Sequence, residues 1–484
     1  LPKGTSVEET DSTLQKVAAA LAPVPEIISI QSHAGTAAPF NFNGLVRHSY
    51  LRAEPQMGDL QVNLSPKGDR DRESHEIALN LRERINALDL PAGTTVKVVE
   101  PPPGPPVMAT LLAEIYGPDP ETRRAVAAKV RETFQTVPYI VDIDDSYGVP
   151  ADRLRLTLND AELDNFKVEP GDVFDTIGLL YGGETVGYSH RSEGRRPIPI
   201  VLAPAKADQV VDERMLATPV PANLIPGDRN IVELGDVVDV TRERASFPIF
   251  RHNGTPAEMV TAELAGAFEA PLYGQMAVAA AIAEGDWGDV PKPVIRQHGQ
   301  PQDTAQPVLL WDGEWDVTWV TFRDMGAAFG VALVGIYILV VMQFGSFKLP
   351  LVILTPVPLT LIGILIGHWL FNAPFSATSM IGFIALAGII VRNSILLVDF
   401  IRHAPKEGRE LKEILLEAGS IRFKPILLTA LAAMIGAVTI LTDPIFQGLA
   451  ISLLFGLASS TLLTVLVIPA IYVLLRSGRK GKAA

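Results

Sequence analysis

The chain has no cysteine, which excludes a disulfide framework, a thiolate metal centre and a thiol nucleophile together. Histidine is scarce as well. Eight are scattered over 484 residues with none paired at ligand spacing, so His33, His48, His75 and His190 read as ordinary surface or core residues unless the fold gathers them. The phosphate loop G-x-x-x-x-G-K-[ST], the nucleophile elbow G-x-S-x-G and the zinc helix H-E-x-x-H are all absent, which leaves the common routes to phosphoryl, acyl and metal-assisted hydrolytic chemistry without an anchor. Positive charge is short over the first two-thirds of the chain. Residues 1–324 hold 29 Lys+Arg against 48 Asp+Glu, net −19, whereas residues 325–484 hold 12 against 6, net +6. Such an acidic surface excludes nucleic acid as the main partner, because phosphate binding needs a basic footprint.

Long apolar runs are missing before residue 325 and dominate after it. Five stretches, about 325–344, 349–371, 377–401, 424–442 and 448–475, are each long enough to cross roughly 30 Å of hydrocarbon as a helix. Arg402, His403, Lys406, Arg409, Lys412, Arg422 and Lys424 crowd the loop between the third and fourth stretches, and Arg476, Arg479, Lys480 and Lys482 follow the fifth. The positive-inside rule puts both clusters in the cytoplasm, and five crossings then put residues 1–324 outside. A large exported acidic domain needs a hydrophobic signal ahead of it. Residues 1–9 carry neither a basic nor an apolar targeting region, so the expectation is the C-terminal part of a longer polypeptide, or one piece of a split or processed one.

The acidic region alternates strands and helices. Residues 7–21 and 72–88 have helical periodicity, and 26–33, 59–65 and 94–99 read as strands. The pattern restarts with a strand at 109–116, a helix opened by Asp119-Pro120-Glu121, and a strand at 139–143. Two such runs predict two split βαβ units of ferredoxin-like type, separated by the proline-rich connector 101–106. Residues 153–250, with short strands such as 153–158 and 198–202, predict a small α+β insertion, after which 249–263 resumes the second sheet. Trp311, Trp315 and Trp319 precede the first apolar stretch and read as an interfacial anchor in the membrane lipid. The expected fold class is therefore α+β ferredoxin-like subdomains with an insertion, followed by a transmembrane bundle of five helices. The expected boundaries are 1–107; 108–155 with 250–300; 156–249; a connector at 301–324; helices over 325–476; and a cytoplasmic tail at 477–484.

Ionisable groups inside the apolar stretches carry the functional signal. Arg392 lies about nine residues, or about 14 Å, from the cytoplasmic end of its helix, where snorkelling is difficult. A charge at that depth costs at least about 2.5 kcal/mol, which predicts a partner inside the bundle. Asn393 is adjacent and Asp399 is seven residues on, while Arg422 and Thr429 repeat that spacing in the next helix. Arg422 and Lys424 read equally as topology anchors. Gly363 with Gly367, and the stripe Ser459, Ser460, Thr461 and Thr464, read as close helix packing. The nine methionines admit a soft-metal role or a gap-filling one.

The run Gly382 to Phe400 (GFIALAGIIVRNSILLVDF), then 413–419, then Arg422-Phe423-Lys424-Pro425-Ile426-Leu427-Leu428-Thr429, resembles the C-terminal half of resistance-nodulation-division (RND) efflux transporters of the acriflavine-resistance group. The resemblance implies a proton-driven antiporter of the bacterial inner membrane, not an enzyme, with periplasmic porter subdomains, a docking insertion and the last five of twelve spans. It places the family's proton-relay lysine on Arg392, its neighbouring asparagine on Asn393, its cytoplasmic-side arginine on Arg422 and its relay threonine on Thr429. Arg392 departs from the pattern: a guanidinium serves as a fixed countercharge and hardly as a proton carrier. The membrane aspartates of such pumps belong to the other half of the transporter. The resemblance also implies a homotrimer, a periplasmic adaptor protein, an outer-membrane channel, no cofactor beyond the proton gradient, and small amphiphilic substrates taken into a cleft between the porter subdomains. Residues 33–45 occupy the position of the switch loop, with Phe40 and Phe42 as its aromatics, either contacting substrate or folding back on the sheet, and residues 102–107 border the same cleft. Heavy-metal export, read through Met57 or Met108, and a non-transporting membrane-anchored binding or assembly protein are the alternatives.

Overall fold

The computed structural model describes residues 1–39, 41–47, 49–100, 107–190, 197–223, 230–266, 268, 270–403, 411–443 and 445–477. His48, Phe40, the connector at 101–106, the basic residues Lys406 and Arg409, and the tail beyond 477 lie outside the described residues. Two units are distinguished, one of residues 11–90, 95–146 and 250–484, the other of residues 1–10, 91–94 and 147–249.

The larger unit opens with α1 (Val7–Leu21), β1 (Ile27–Ala34), α2 (Phe42–Arg47), β2 (Gly58–Leu64) and α3 (Ser74–Asn86). β1 and β2 pair antiparallel with Ile30 opposite Val62. Apolar residues at helical spacing, Val17 and Leu21 on α1 and Ile77, Leu81 and Ile85 on α3, cover Ile30, Leu60 and Val62. The strand expected at 94–99 does not form. Val96 and Val98 still pack on that core, but the backbone of Val98 is satisfied by side chains: its N–H donates to Asp142 Oδ2 at 3.3 Å and its carbonyl accepts from Arg82 Nη2 at 2.7 Å. A segment whose polar backbone is met in this way needs no ladder partner.

The next elements are β3 (Leu111–Tyr116), α4 (Pro120–Gln135), β4 (Ile140–Asp145), a separate two-stranded hairpin of β5 (Arg251–His252) and β6 (Thr255–Pro256), then β7 (Glu258–Leu264), α5 (Pro271–Glu284), β8 (Val294–Arg296) and β9 (Val308–Asp312), which with β3 and β4 build the second sheet. Its five strands lie in the order β8-β9-β3-β7-β4. All neighbours are antiparallel except β8 and β9. The Asp119 carboxylate caps α4 by accepting from Thr122 N–H at 2.7 Å. α4 and α5 cover one face, where Gly274 lets α5 approach Leu111 and Leu264 closely. Trp311 was expected to anchor in the membrane interface. It is instead 1% exposed on β9 and stacked on Phe134 of α4 at 6.1 Å, because strand alternation turns Leu309 and Trp311 to the helix-covered face.

The membrane-length helices are α6 (Glu314–Phe344), α7 (Leu349–Leu370), α8 (Ala377–His403), α9 (Leu411–Val438) and α10 (Gln447–Ser477). α6 starts at Glu314 rather than near 325, so Trp315 and Trp319 ride on its first turns. There the Trp315 indole N–H donates to the Gln297 carbonyl at 2.7 Å, and Trp319 stacks on His298 at 4.8 Å. Residues 411–423, expected as loop, are the first turns of α9. α10 packs against α7 and α8 through small residues. A methyl group at Gly363 would collide with Ser459, at Gly367 with Phe455, and at Gly382 with Ser452, which is how bilayer helices gain dispersion contact without a hydrophobic drive. Ser460 and Thr461 are buried and donate to the Leu457 carbonyl of their own helix at 3.0 and 2.7 Å.

In the smaller unit a strand over Asp152–Leu158 pairs antiparallel with one over Val238–Arg244. Leu163, Val168, Val173, Val220, Leu234 and Val237 form its core. A hairpin pairs Glu184–Ser189 with Ile198–Leu202 and leaves Val186, Tyr188, Ile198 and Ile200 exposed.

Candidate functional site

Two regions gather the residues that the sequence singles out. In the first, α8 buries Leu386, Ile390, Asn393, Leu397 and Ile401, a stripe with helical spacing that faces the rest of the bundle. Asn393 is on that stripe at 7% exposure, and the neighbouring Ser394 is fully buried with a hydroxyl oxygen that lacks a hydrogen-bond partner among the described residues. Arg392 is not on the stripe. It is exposed and makes no hydrogen bond or ion pair among the described residues. The reason is geometric: one residue step rotates the side chain by about 100°, and the apolar stripe on either side of Arg392 sets the rotation of the helix.

Arg422, half-buried on α9, places its guanidinium 5.4 Å from the Phe400 ring centre on α8, within cation–π range. Thr429 donates to the Pro425 carbonyl one turn earlier at 2.9 Å. Pro425 is interior to α9 and has no N–H to give. No hydrogen bond joins Arg392 or Asn393 to Arg422 or Thr429 among the described residues. Asp399 pairs with His403 on its own helix at 3.2 Å, and Arg402 donates to the Phe344 carbonyl at 2.5 Å, tying α8 to the end of α6.

The second region surrounds α2. Phe42 is 61% exposed, and Leu45, Tyr50, Leu51 and Met108 are exposed as well. Of the residues expected to line that cleft, Phe40 and 102–106 are outside the described residues and Val107 is buried. What holds α2 is Arg47. Its guanidinium meets Glu263 Oε2 of β7 at 3.2 Å and the Val107 carbonyl at 3.4 Å, while the Thr110 hydroxyl donates to the same Glu263 oxygen at 2.5 Å. Asn43 adds a bond to the Val99 carbonyl at 3.3 Å. Sequence reasoning missed Arg47 and Glu263, because a pair separated by 216 positions leaves no local pattern.

Nearby, burial pushes the Glu258 carboxyl above its ordinary value, against the opposing effects of the Ser146 hydroxyl at 3.0 Å and the Arg124 guanidinium at 3.9 Å. Burial likewise lifts Glu114 to about 7, with Asp312 adding to the rise and Tyr116 and His252 opposing it.

With this geometry in hand, comparison with known proteins decides the family. A family model described as AcrB/AcrD/AcrF matches residues 1–476. The chain belongs to that family. Among curated members, it is 40% identical over 169 residues to the swarming motility protein SwrC of Bacillus subtilis, covering 34% of this chain and 16% of that protein. It is 26% identical over 374 residues to the cobalt-zinc-cadmium resistance protein CzcA of Cupriavidus metallidurans, covering 76% and 33%, and 24% identical over 443 residues to the multidrug resistance protein MdtC of Erwinia tasmaniensis, covering 87% and 40%. A crystal structure of a heavy metal efflux pump superposes with a TM-score of 0.76 at 20% identity, covering 99% of this chain and 47% of that one, which supports the fold. The chain thus spans less than half the length of these AcrB/AcrD/AcrF relatives. The resemblance to RND transporters read from the α8–α9 motif holds over the whole chain.

Proposed function

We propose that this chain is the C-terminal half of a proton-driven exporter of small amphiphilic compounds, working as a homotrimer in the bacterial inner membrane with a periplasmic adaptor and an outer-membrane channel, and using no cofactor. The observation that carries this reading is the exposed Arg392 on a membrane-length helix, without a partner among the described residues. A guanidinium facing hydrocarbon is costly, so the face that carries it is built to meet carboxylates from helices outside this chain. Protonation of those carboxylates removes their attraction to the fixed cation and lets the helices shift, which converts proton entry into movement of the porter subdomains. Asn393, Arg422 and Thr429 complete the relay set. Arg422 seats α9 against Phe400, so a tilt of α8 is passed to α9.

The porter subdomains fall at residues 1–107 and at 108–155 with 250–300, with the docking insertion at 156–249. The exposed apolar side chains around α2, Phe42 foremost, fit amphiphilic cargo better than a hydrated cation. The exposed apolar strands Glu184–Ser189 and Ile198–Leu202 support contact with a neighbouring subunit or partner. The names of CzcA and of the heavy metal pump favour cation export as the second reading.

The test is Arg392→Ala in the native full-length transporter, scored in an efflux-deficient host against cationic dyes, detergents, and zinc, cobalt and copper salts. Loss of resistance to dyes and detergents with the membrane protein still present is the expected result. Loss of metal resistance alone shifts the assignment to cation export. Unchanged resistance throughout overturns proton-coupled transport in favour of an assembly or binding role.

A further inference from the structure

The five-stranded sheet holds a second group of polar side chains that the transport reading leaves unused. Glu114 lies on the β3 face opposite to the one packed on α5, and it is only 1% exposed. The Tyr116 hydroxyl donates to its Oε2 at 2.6 Å. Its Oε1 is in direct contact with Nδ1 of His252 on β5, and Asp312 Oδ2, at the end of β9, stands 3.8 Å from the same nitrogen. One ligand atom from each of the three residues falls within 4.8 Å of the others. His252 Nδ1 is fully covered and has no partner in hydrogen-bond geometry among the described residues.

Three lone-pair donors from three separate strands therefore converge on one small volume. With both carboxylates ionised the set carries −2, and unbalanced charge is costly at Glu114, whose side chain is 2% exposed, whereas those of His252 and Asp312 reach the surface at 34% and 27%. A single proton within the set leaves −1 uncompensated, whereas a divalent cation balances it. One imidazole nitrogen with carboxylate oxygens is the donor set of zinc and its neighbours rather than of soft copper(I) or of magnesium. The surroundings are those of a ligand set held in place. Tyr116 orients Glu114, and Gln300 Nε2 donates to the His252 carbonyl at 2.9 Å, fixing the backbone that carries the imidazole.

We propose that Glu114, His252 and Asp312 hold a resident divalent transition cation of the zinc class, which staples the β5–β6 hairpin and the end of β9 to β3. The cation is structural. Glu114 and Asp312 belong to paired strands of the five-stranded sheet and His252 to the separate β5–β6 hairpin, and all three are distinct from Arg47, Glu263 and the exposed apolar residues around α2 where cargo is proposed to pass. The inference stands whether that cargo is organic or metallic.

The test uses the full-length transporter in detergent, stripped with chelator and titrated with Co2+ as a spectroscopic probe and with Zn2+ as a stabiliser. The expected result is one Co2+ per chain with the intense visible absorption of a low-coordinate site. His252→Asn is expected to abolish that band, and Zn2+ is expected to raise the unfolding temperature of the wild type but not of the variant. His252 is about one-third exposed on a two-residue strand, so this variant is chosen for retention of fold, checked by circular dichroism. Asp312→Asn gives the same readout if His252→Asn does not fold. Failure of the wild type to take up Co2+ overturns the proposal and leaves the cluster as a carboxyl–imidazole contact without metal. Co2+ bound equally by both variants also overturns it, because that metal is then held elsewhere, including in any cargo cleft.

Discussion

Arg82 on α3 and Asp142 on β4 form an ion pair at 3.0 Å with side chains 12% and 6% exposed. Asp142 takes a left-handed backbone (φ 55°) and also receives the Val98 N–H. A single buried carboxylate thus ties the first α/β layer to the second sheet. Breaking a buried pair strands the remaining charge. Arg82→Ala is expected to destabilise the protein by about 3–5 kcal/mol, measured as a fall in unfolding midpoint, while Asp142→Asn with Arg82→Met together cost less than the sum of the single changes.

Gly363 and Gly367 let α7 meet Ser459 and Phe455 of α10 at backbone distance. Gly363→Val inserts bulk where no side chain can yield without moving a helix, at about 1–3 kcal/mol. The check is the thermal aggregation temperature of the detergent-solubilised protein, which falls in the variant, while Gly388→Val, at an open position on α8, leaves it within error.

The raised carboxyl of Glu258 sets a pH dependence. Because burial keeps its folded-state value above the ordinary carboxylate range, the folded state holds the proton to higher pH than the unfolded chain does. Stability from this group is fully present below the ordinary carboxylate range and is lost as pH rises through the raised value. Glu258→Gln, which keeps an acceptor for Ser146, is expected to flatten that loss in melts recorded from acid to neutral pH.

Phe42 is 61% exposed at the start of α2. Phe42→Ala is expected to leave the unfolding midpoint unchanged and to lower resistance several-fold for some amphiphiles but not others, measured as minimum inhibitory concentrations. Arg47→Met, which releases α2 from Glu263, is expected to lower resistance to all of them together.

Local pattern was enough for the five membrane helices, for α1, α3 and α4, and for the strands β1, β2 and β3, because hydropathy and periodicity act within one element. It was enough also for the close packing of Gly363 and Gly367, since small residues one turn apart have few other uses in a bilayer helix. It failed at residues 94–99, where Arg82 and Asp142 took the backbone bonds a neighbouring strand would have made. At Trp311 it failed because membrane proximity and strand alternation made competing claims, and the stacking partner Phe134 is far away in sequence.

The amino-acid sequence by itself determined what the chain is made of: an acidic α+β region, five spans, and a family motif across α8 and α9. The tertiary structure alone decided which way those residues face. Arg392 turns out of the bundle while Asn393 turns in, and Arg47 finds Glu263. Glu114, His252 and Asp312 meet although they are spread over nearly two hundred positions. Helix rotation and strand order are set by the summed packing of whole elements, and contacts of that range carry no period that a single stretch of sequence can express.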